Sequence, residues 1–426
     1  MSSEHVPNQR RVVRIAMLAV VALAGLNIAA SPSHASSPST AAAVVQARTG
    51  AAVSLADGGG VLTTVESVTL ASGSWTVTSN ATAVNFGAGD YVRCQLDVNN
   101  RLIDGGATTY LAGRVAGLVN AATWKSSTGF TVALLCEHDH DGTSQQFYFD
   151  PGVTLTAVRG GPISSTTVHG SGSPTVVQAR TTSSVSVPRS GAAVATAALP
   201  AGNWAILANV SVVDFGNRDY IQCWTSGSPG VGVRSDFPLV GVSSTNTYVA
   251  DLTVEADASV PSGGGTATLT CATTYNSPVY LDPGATITAT LVPRPNHLTD
   301  QFISGASGVQ LADAGATPVD VATLPMHAGA WRVTTELSAQ VGGGFGNDFV
   351  RCSLWAGTTM IDGGATVLVT YDSDIQEIVN AGSFTSSAAW TLRLSCSHDH
   401  PAPFLKHWFV NGIAVAVNKG PITITP

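Results

Sequence analysis

Residues 91–98 read Tyr-Val-Arg-Cys-Gln-Leu-Asp-Val, and this stretch decides the fold of the chain. Val92, Cys94, Leu96 and Val98 fall on one side of an extended chain, whereas the residues between them are polar or charged. A side-chain period of two is the pattern of a β-strand that buries one face. The stretch therefore predicts a strand whose cysteine points into a hydrophobic core.

The cysteine of this strand recurs every 129 residues, and a second cysteine follows each copy. Such a period indicates one module written three times. Six cysteines allow fifteen pairings, but the repeat favours one disulfide inside each module, placed to tie two strands across the core. Zinc is the weaker alternative, because the chain contains no Cys-x-x-Cys pair. The predicted bridges are Cys94–Cys136, Cys223–Cys271 and Cys352–Cys396.

The N-terminal segment has the features of a secretory signal. Three arginines lie within the first fourteen residues, a largely apolar run covers residues 15–30, and residues 33–35 (Ser-His-Ala) offer a cleavage site. A membrane anchor is the alternative, but the run is shorter than the span of about 20 residues that a bilayer requires. We therefore expect residues 1–35 to be a signal peptide, residues 36–43 to be a disordered leader, and the mature protein to be extracellular, where paired cysteines oxidise.

The composition restricts the class of partner. Charged residues make up 11% of the chain, against about 25% in an average soluble protein. The formal net charge is −8, and the predicted mature region contains no run of Lys or Arg. This balance argues against nucleic acid as a partner. No stretch after the signal is expected to cross a membrane.

Short alternating segments, closely spaced turn signals and the lack of a convincing amphipathic helix predict an all-β protein. We expect three tandem jelly-roll-like antiparallel β-sandwich domains, with one intradomain disulfide each. Polar or Pro-rich stretches, residues 164–174 and 293–297, are the expected linkers. The three sandwiches then cover residues 44–163, 175–292 and 298–426.

Two turn-like motifs recur. A glycine stands two residues before a tryptophan in every module, and we expect this Trp to anchor the core rather than to bind a ligand, because it buries a large area. An Asp precedes an aromatic residue in every module, and we read it as a turn in which the carboxylate bonds the local backbone. A catalytic or calcium-binding role is the alternative for the Asp. The copies are Gly73/Trp75, Gly202/Trp204 and Gly329/Trp331, and Asp90-Tyr91, Asp219-Tyr220 and Asp348-Phe349.

Other repeated segments support the same division. Residues 44–48 and 176–180 share the extended sequence Val-Val-Gln-Ala-Arg, for which the third module has no clear equivalent. Modules 1 and 3 share Ile-Asp-Gly-Gly-Ala-Thr at 103–108 and 361–366, which predicts a tight turn in each.

The order of the motifs loosely resembles the jelly rolls of the complement-type globular head and tumour-necrosis-factor family, which begin with a Gly-x-aromatic strand. Because such jelly rolls often assemble as trimers, this resemblance implies that the three modules close into a single-chain pseudo-trimer; an extended string of domains is the alternative. A closer resemblance, carried by residues 199–204, 220–223 and 267–271, is to exported actinobacterial proteins of unassigned role built from two-cysteine modules. It implies no activity.

The most specific polar motif is His-Asp-His. It follows the second cysteine at His138-Asp139-His140 and at His398-Asp399-His400. Two His at i and i+2 on a strand share a face and offer a metal two imidazoles, but no third ligand has a fixed spacing. We favour a polar turn after the strand, so that these four histidines remain weak metal candidates and no metal or cofactor is predicted.

Two further tryptophans differ from the core anchors. Trp224 and Trp355 lie an odd number of residues after an inward cysteine and should point outward. An outward Trp can stack on a sugar or a protein, or it can pack one module against the next. The sequence does not separate these readings.

Support for catalysis is thin. The chain has no Gly-x-Ser-x-Gly elbow, His-Glu-x-x-His motif or phosphate loop. Asp372, Asp374 and Glu377 lie close together in module 3, but we read them as a solvated loop rather than an acid/base pair. Our hypothesis is a secreted, non-enzymatic repeat protein that binds or adheres to an extracellular protein or glycan. The rival is a secreted hydrolase or metal-dependent protein that uses the His-Asp-His turns.

Overall fold

The computed structural model describes much of the chain between residues 44 and 425. The predicted signal peptide and leader lie outside the described residues. The described ranges are 44–56, 59–111, 114–139, 147–160, 163–165, 176–214, 216–217, 219–235, 237–242, 249–275, 278–292, 298–303, 311, 318–340, 348–369, 375–399, 411–418 and 422–425.

Module 1 begins at the first described strand. Its strands are β1 (Val44–Arg48), β2 (Val53–Ser54), β3 (Thr63–Leu70), β4 (Gly73–Asn85), β5 (Asp90–Val98), β6 (Ala107–Leu111), β7 (Arg114–Ser126), β8 (Phe130–His138), β9 (Phe147–Phe149), β10 (Thr154–Gly160) and β11 (Ile163–Ser165).

Module 2 repeats the pattern. Its strands are β12 (Val176–Arg180), β13 (Val185–Val187), β14 (Ala192–Leu199), β15 (Gly202–Asp214), β16 (Asp219–Gly227), β17 (Gly232–Ser235), β18 (Leu239–Val242), β19 (Val249–Val260), β20 (Gly265–Thr273), β21 (Val279–Leu281) and β22 (Thr286–Val292).

Module 3 completes the series. Its strands are β23 (Leu298–Ile303), β24 (Val319–Met326), β25 (Gly329–Gln340), β26 (Asp348–Ala356), β27 (Thr359–Val369), β28 (Ile375–Ser386), β29 (Trp390–His398), β30 (Asn411–Asn418) and β31 (Ile422–Thr425).

Each module is a sandwich of two antiparallel sheets. The tryptophan sheet carries the repeated Trp on β4, β15 or β25. The cysteine sheet carries the disulfide and has the order β3-β8-β5-β6, β14-β20-β16-β18 or β24-β29-β26-β27. Inward side chains from both sheets form a separate hydrophobic core in each module. The all-β prediction of three tandem jelly-roll-like sandwiches is confirmed, and the described residues include no helix.

The repeated Trp anchors each core, as predicted. Trp75, Trp204 and Trp331 are at most 1% exposed. Each indole Nε1 donates to the backbone oxygen four residues earlier, at 2.9 Å. The glycine two residues before each Trp has φ between 139° and 141°, which L side chains rarely adopt. The Gly-x-Trp spacing thus combines a turn that requires glycine with a tryptophan that fills the core.

The disulfides join the predicted cysteines, but they do not cross the core. In each module the two cysteines face each other on adjacent antiparallel strands of one sheet. Their Cα atoms are 4.1–4.2 Å apart, close to the spacing of opposite residues that do not share backbone hydrogen bonds. The expectation of a bridge across the core is therefore wrong. All six side chains still point inward, at no more than 2% exposure.

Two other local expectations change. Asp362-Gly363-Gly364 is not a tight turn in module 3, because it lies inside β27 at an irregularity in the pairing with β26. Module 3 also has the strand that its sequence does not reveal. β23 pairs antiparallel with β30, as β1 pairs with β10 and β12 with β22.

The described strands of the three modules belong to one compact unit. β7 of module 1 packs on β15 and β19 of module 2. β18 and β19 of module 2 pack on β25 and β28 of module 3. β27 and β28 of module 3 pack on β4 and β7 of module 1. β7, β19 and β28 occupy equivalent places, each beside the strand that carries the Trp, and each contacts the other two.

The segments that leave modules 1 and 3 each add a parallel strand to another sheet. β11 pairs with β12, with Ile163 opposite Val176. β31 pairs with β1, with Ile422 opposite Val44. A Gly-Pro dipeptide precedes both isoleucines in the sequence. Residues 164–165 of the predicted linker therefore belong to a strand, and the last described strand pairs with the first.

Candidate functional site

The recurring Asp and the first histidine of His-Asp-His meet inside modules 1 and 3. His138 Nδ1 lies 2.9 Å from an Asp90 carboxylate oxygen, and His398 Nδ1 lies 2.9 Å from Asp348. All four side chains are at most 3% exposed. β8 and β29 end at these histidines, each of which shares the inward face of the cysteine two residues earlier. The strand therefore ends at the motif, as expected, but its first histidine is buried in the sandwich rather than part of a polar turn.

The environment of these histidines is that of a structural pair. His138 stacks on Phe147, with ring centroids 5.2 Å apart and planes inclined by 13°. The other Asp90 oxygen accepts the Tyr91 amide at 2.7 Å, which is the local backbone bond expected of this Asp. A ring held by a carboxylate and covered by an aromatic side chain cannot reach a substrate outside the sandwich. The second histidines, His140 and His400, lie outside the described residues.

Module 2 shows how the same Asp is satisfied without a histidine. Thr273 stands at the end of β20, where modules 1 and 3 have His. Asp219 accepts hydrogen bonds from the backbone amides of Tyr220, Thr274 and Tyr275 at 2.7–3.1 Å. Among the residues that the structure describes, no three His, Cys, Asp or Glu side chains cluster closely enough to hold a metal ion.

The two outward tryptophans differ in environment. Trp355 on β26 has the Arg393 guanidinium over its ring, 5.7 Å from the centroid, and its Nε1 donates to Ser353 at 2.9 Å. Arg393 is itself fixed by the Gly357 carbonyl and the Asp320 carboxylate. Trp355 is therefore part of a polar cluster within module 3, and its covered ring face is a poor platform for a ligand.

Trp224 on β16 instead belongs to a group of aromatic side chains. Its ring centroid lies 6.2 Å from that of Phe237, and the rings of Tyr220 and Tyr275 are also 6.2 Å apart. Phe237 and Tyr275 are 51% and 56% exposed. Gln222 lies between the two pairs, and its amide donates to the Phe237 carbonyl. We call this surface the aromatic face: Tyr220, Gln222, Trp224, Phe237 and Tyr275.

The boundary between modules 1 and 2 contains two carboxylates with perturbed pKa values. Asp104 accepts a hydrogen bond from Asn120 at 2.6 Å, and burial raises the pKa of its carboxyl to about 6. Asp251 accepts from the Val119 amide at 3.0 Å, and burial, aided by nearby Asp104, raises its pKa to about 7. The hydrogen bond from Asn120 to Asp104 lies within module 1, whereas the hydrogen bond from Val119 to Asp251 joins modules 1 and 2.

Glu377 also forms a contact between modules rather than part of an acid/base pair. It is 8% exposed on β28, and its carboxylate accepts the amide of Thr253 of module 2 at 2.9 Å. The sequence predicted a solvated loop for Glu377, and this prediction is wrong because the residue is buried in a strand. Asp372 and Asp374 lie outside the described residues.

An open groove of about 410 Å³ lies beside β17 and β19 of module 2. Its charged lining residues are Arg234 and Asp257, which form an ion pair with each other. Asn203 and Ser259 add polar atoms, and the Asp257 carboxylate beside them is engaged by Arg234. The groove therefore offers no arrangement recognisable as a nucleophile and its base.

Gln46 and Gln178 are contact residues that sequence reasoning missed. They occupy the same place in the two Val-Val-Gln-Ala-Arg copies and accept hydrogen bonds from Ser383 of module 3 and Thr123 of module 1. The repeated glutamine was the available signal, because a polar residue kept inside an otherwise apolar strand requires a partner when buried.

Comparisons with known proteins add little. No family model and no curated protein matches the chain. A chain from an archaeal virus, described by its triple jelly-roll fold and turret assembly, is 11% identical, with a TM-score of 0.20, over 91% of this chain and 99% of that one. A chain of Sulfolobus Turreted Icosahedral Virus is 11% identical, with a TM-score of 0.18, over 83% and 84%. No helix among the described residues is long and apolar enough to span a membrane.

Proposed function

We propose that this protein is a secreted, non-enzymatic binding protein that attaches to an extracellular surface through the outward sides of its cysteine sheets. The observation that carries the proposal is the aromatic face of module 2, where Phe237 and Tyr275 are more than half exposed. Exposed aromatic clusters on a folded domain mark sites of interaction. Three disulfides support export, because such bonds persist in oxidising compartments.

The inward position of the His–Asp pairs supports binding over hydrolysis. The rival hypothesis needs His138 or His398 to meet a metal or a substrate, and both are 1% exposed and bonded to Asp. The groove in module 2 gives no further support to an enzyme.

The scaffold that we propose is a single-chain pseudo-trimer. Its support is the set of contacts between modules 1 and 2, 2 and 3, and 3 and 1, together with the pairing of β31 and β1. The resemblance to trimeric jelly rolls leads to the same expectation. Small-angle scattering should give a radius of gyration of about 21 Å for the mature chain. A much larger value, as for separated domains in a row, would contradict the closed arrangement.

The binding function is tested with the purified mature protein on an array of extracellular proteins, uncharged glycans and charged glycans. We expect saturable binding to at least one class, with no turnover of the bound polymer. Absence of binding, combined with measurable hydrolysis of any of these polymers, would overturn the proposal.

A further inference from the structure

The three cysteine sheets are related by the repeat, but their outer surfaces differ in charge. Strands β14, β20, β16 and β18 of module 2 contain a single charged residue, Asp219, which is 0% exposed. The outward positions of these strands carry Thr, Ala, Gln, Leu and aromatic side chains. The outer surface of this sheet is therefore uncharged.

Modules 1 and 3 have an ion pair where module 2 has none. Arg93 bonds Asp139 in module 1, and Arg351 bonds Asp399 in module 3, with both pairs partly exposed. The equivalent positions in module 2 are found by counting from the paired cysteines: one residue before the first and three residues after the second. Gln222 and Thr274 occupy these positions.

The aromatic pairs lie along one strand. Tyr220 and Trp224 point outward from β16 and are four residues apart, which corresponds to about 13 Å of extended chain. Thr270 lies opposite Trp224, whereas Gly241, opposite Tyr220, lies beside the backbone of Ile375 of module 3. The two pairs can therefore be contacted at once only by an extended ligand.

We propose that the aromatic face of module 2 binds an uncharged polysaccharide, with sugar rings stacked on the pair Trp224/Phe237 and on the pair Tyr220/Tyr275. This inference rests on the proposed binding function and names its ligand class. Aromatic rings offer a flat apolar surface to the C–H faces of sugars, while the Gln222 amide and the neighbouring threonine hydroxyls can bond sugar hydroxyls.

The lack of Lys and Arg on the aromatic face argues against charged ligands that also stack on aromatic rings. A nucleic acid strand or an acidic polysaccharide requires Lys or Arg along its path, and these four strands contain neither. A protein partner is the remaining alternative, because aromatic side chains are also enriched at protein interfaces, and the array distinguishes it.

The test measures binding of the mature protein to glucose, mannose and galactose and to their oligomers of two to six units by calorimetry. We expect oligosaccharides to bind at least tenfold more tightly than monosaccharides in one series, because a monosaccharide reaches one pair. Trp224→Ala should weaken oligosaccharide binding about tenfold or more. Trp355→Ala, which removes the other outward Trp of a cysteine sheet, whose ring lies under Arg393, is the control and should leave the affinity unchanged.

A charge swap gives an independent readout. Gln222→Arg with Thr274→Asp introduces the ion pair of modules 1 and 3 beside intact aromatic rings and should abolish the binding, while the melting temperature verifies folding. Equal losses in W224A and W355A would overturn the inference, as would a preference for charged polysaccharides or no binding to any neutral oligomer. If the array detects only protein ligands, the binding function stands and this inference fails.

Discussion

Ser383 donates a hydrogen bond to Gln46 over 2.5 Å, although the two residues are 337 positions apart in the chain. Thr123 donates the equivalent bond to Gln178 at 3.0 Å. Ser383 on β28 and Thr123 on β7 both lie on the strand that pairs with the Trp strand of their module. Their acceptors lie on β1 and β12, the first strands of modules 1 and 2. The boundary from module 3 back to module 1 is thus built like the boundary from module 1 to module 2, which argues that the two boundaries share one design.

Gln46→Ala should destabilise the protein through the boundary between modules 3 and 1. The substitution leaves the buried Ser383 hydroxyl without its acceptor, and an unsatisfied buried group costs about 1–3 kcal/mol of unfolding free energy. Denaturant unfolding measures the loss. The control is Gln95→Ala, a half-buried glutamine on the outer surface of module 1, which should change stability by less than about 0.5 kcal/mol. Equal effects of the two variants would refute a polar contact specific to the boundary.

Removal of a disulfide should have a larger effect. Each bridge closes a loop of 42–48 residues, and the chain-entropy account gives about 4 kcal/mol for a loop of this size. Cys223→Ser with Cys271→Ser should therefore lower the melting temperature strongly, and reduction of the wild-type protein should do the same. Peptide mapping without reduction should recover only linkages within modules. A linkage between modules would contradict the structure.

Stability should depend on pH through Asp104 and Asp251. Their folded pKa values, about 6 and about 7, lie above the value of about 3.9 for an unfolded Asp. Between pH 4 and pH 7 the folded chain therefore binds more protons than the unfolded chain, and this contribution to the unfolding free energy falls as the pH rises. We expect a higher melting temperature at pH 5 than at pH 8.

Asp251→Asn should flatten this dependence, because the amide does not titrate and can still accept from Val119. Thr268→Ala, which changes the outer surface of module 2 without altering a titrating group, is the control and should keep the wild-type slope. An unchanged slope in D251N would remove Asp251 from the explanation.

The strands and cores could be predicted because their signal is local. Val92, Cys94 and Leu96 alternate with polar residues, and this alternation alone assigns a buried face whatever the rest of the chain does. The disulfide partners followed from the repeat. Their location did not, because an inward cysteine can face the opposite sheet or its neighbour in the same sheet, and only the register of β5 and β8 decides.

The contacts between modules could not be predicted, since both partners look like ordinary surface residues. Asp251 and Glu377 lie on strands whose polar side chains suit a solvated surface, and each is bonded by an amide more than 120 residues away in sequence. The aromatic face was foreseen only through Trp224. Phe237 and Tyr275 come from segments outside the strands, whose approach to β16 depends on the fold.

The His138–Asp90 pair should stabilise module 1 without binding a metal. His138→Ala removes the partner of a buried carboxylate and opens space beside Phe147, so we expect a loss of about 1–3 kcal/mol from the missing hydrogen bond alone. His327→Ala, an exposed histidine, is the control and should be nearly neutral. Metal analysis of the wild type and both variants should give equal content, and a chelator should not lower the melting temperature. If His138→Ala instead released one equivalent of metal while the melting temperature stayed unchanged, the histidine would be a ligand, and this result would support the rival hypothesis of a metal-dependent protein against the buried hydrogen bond with Asp90.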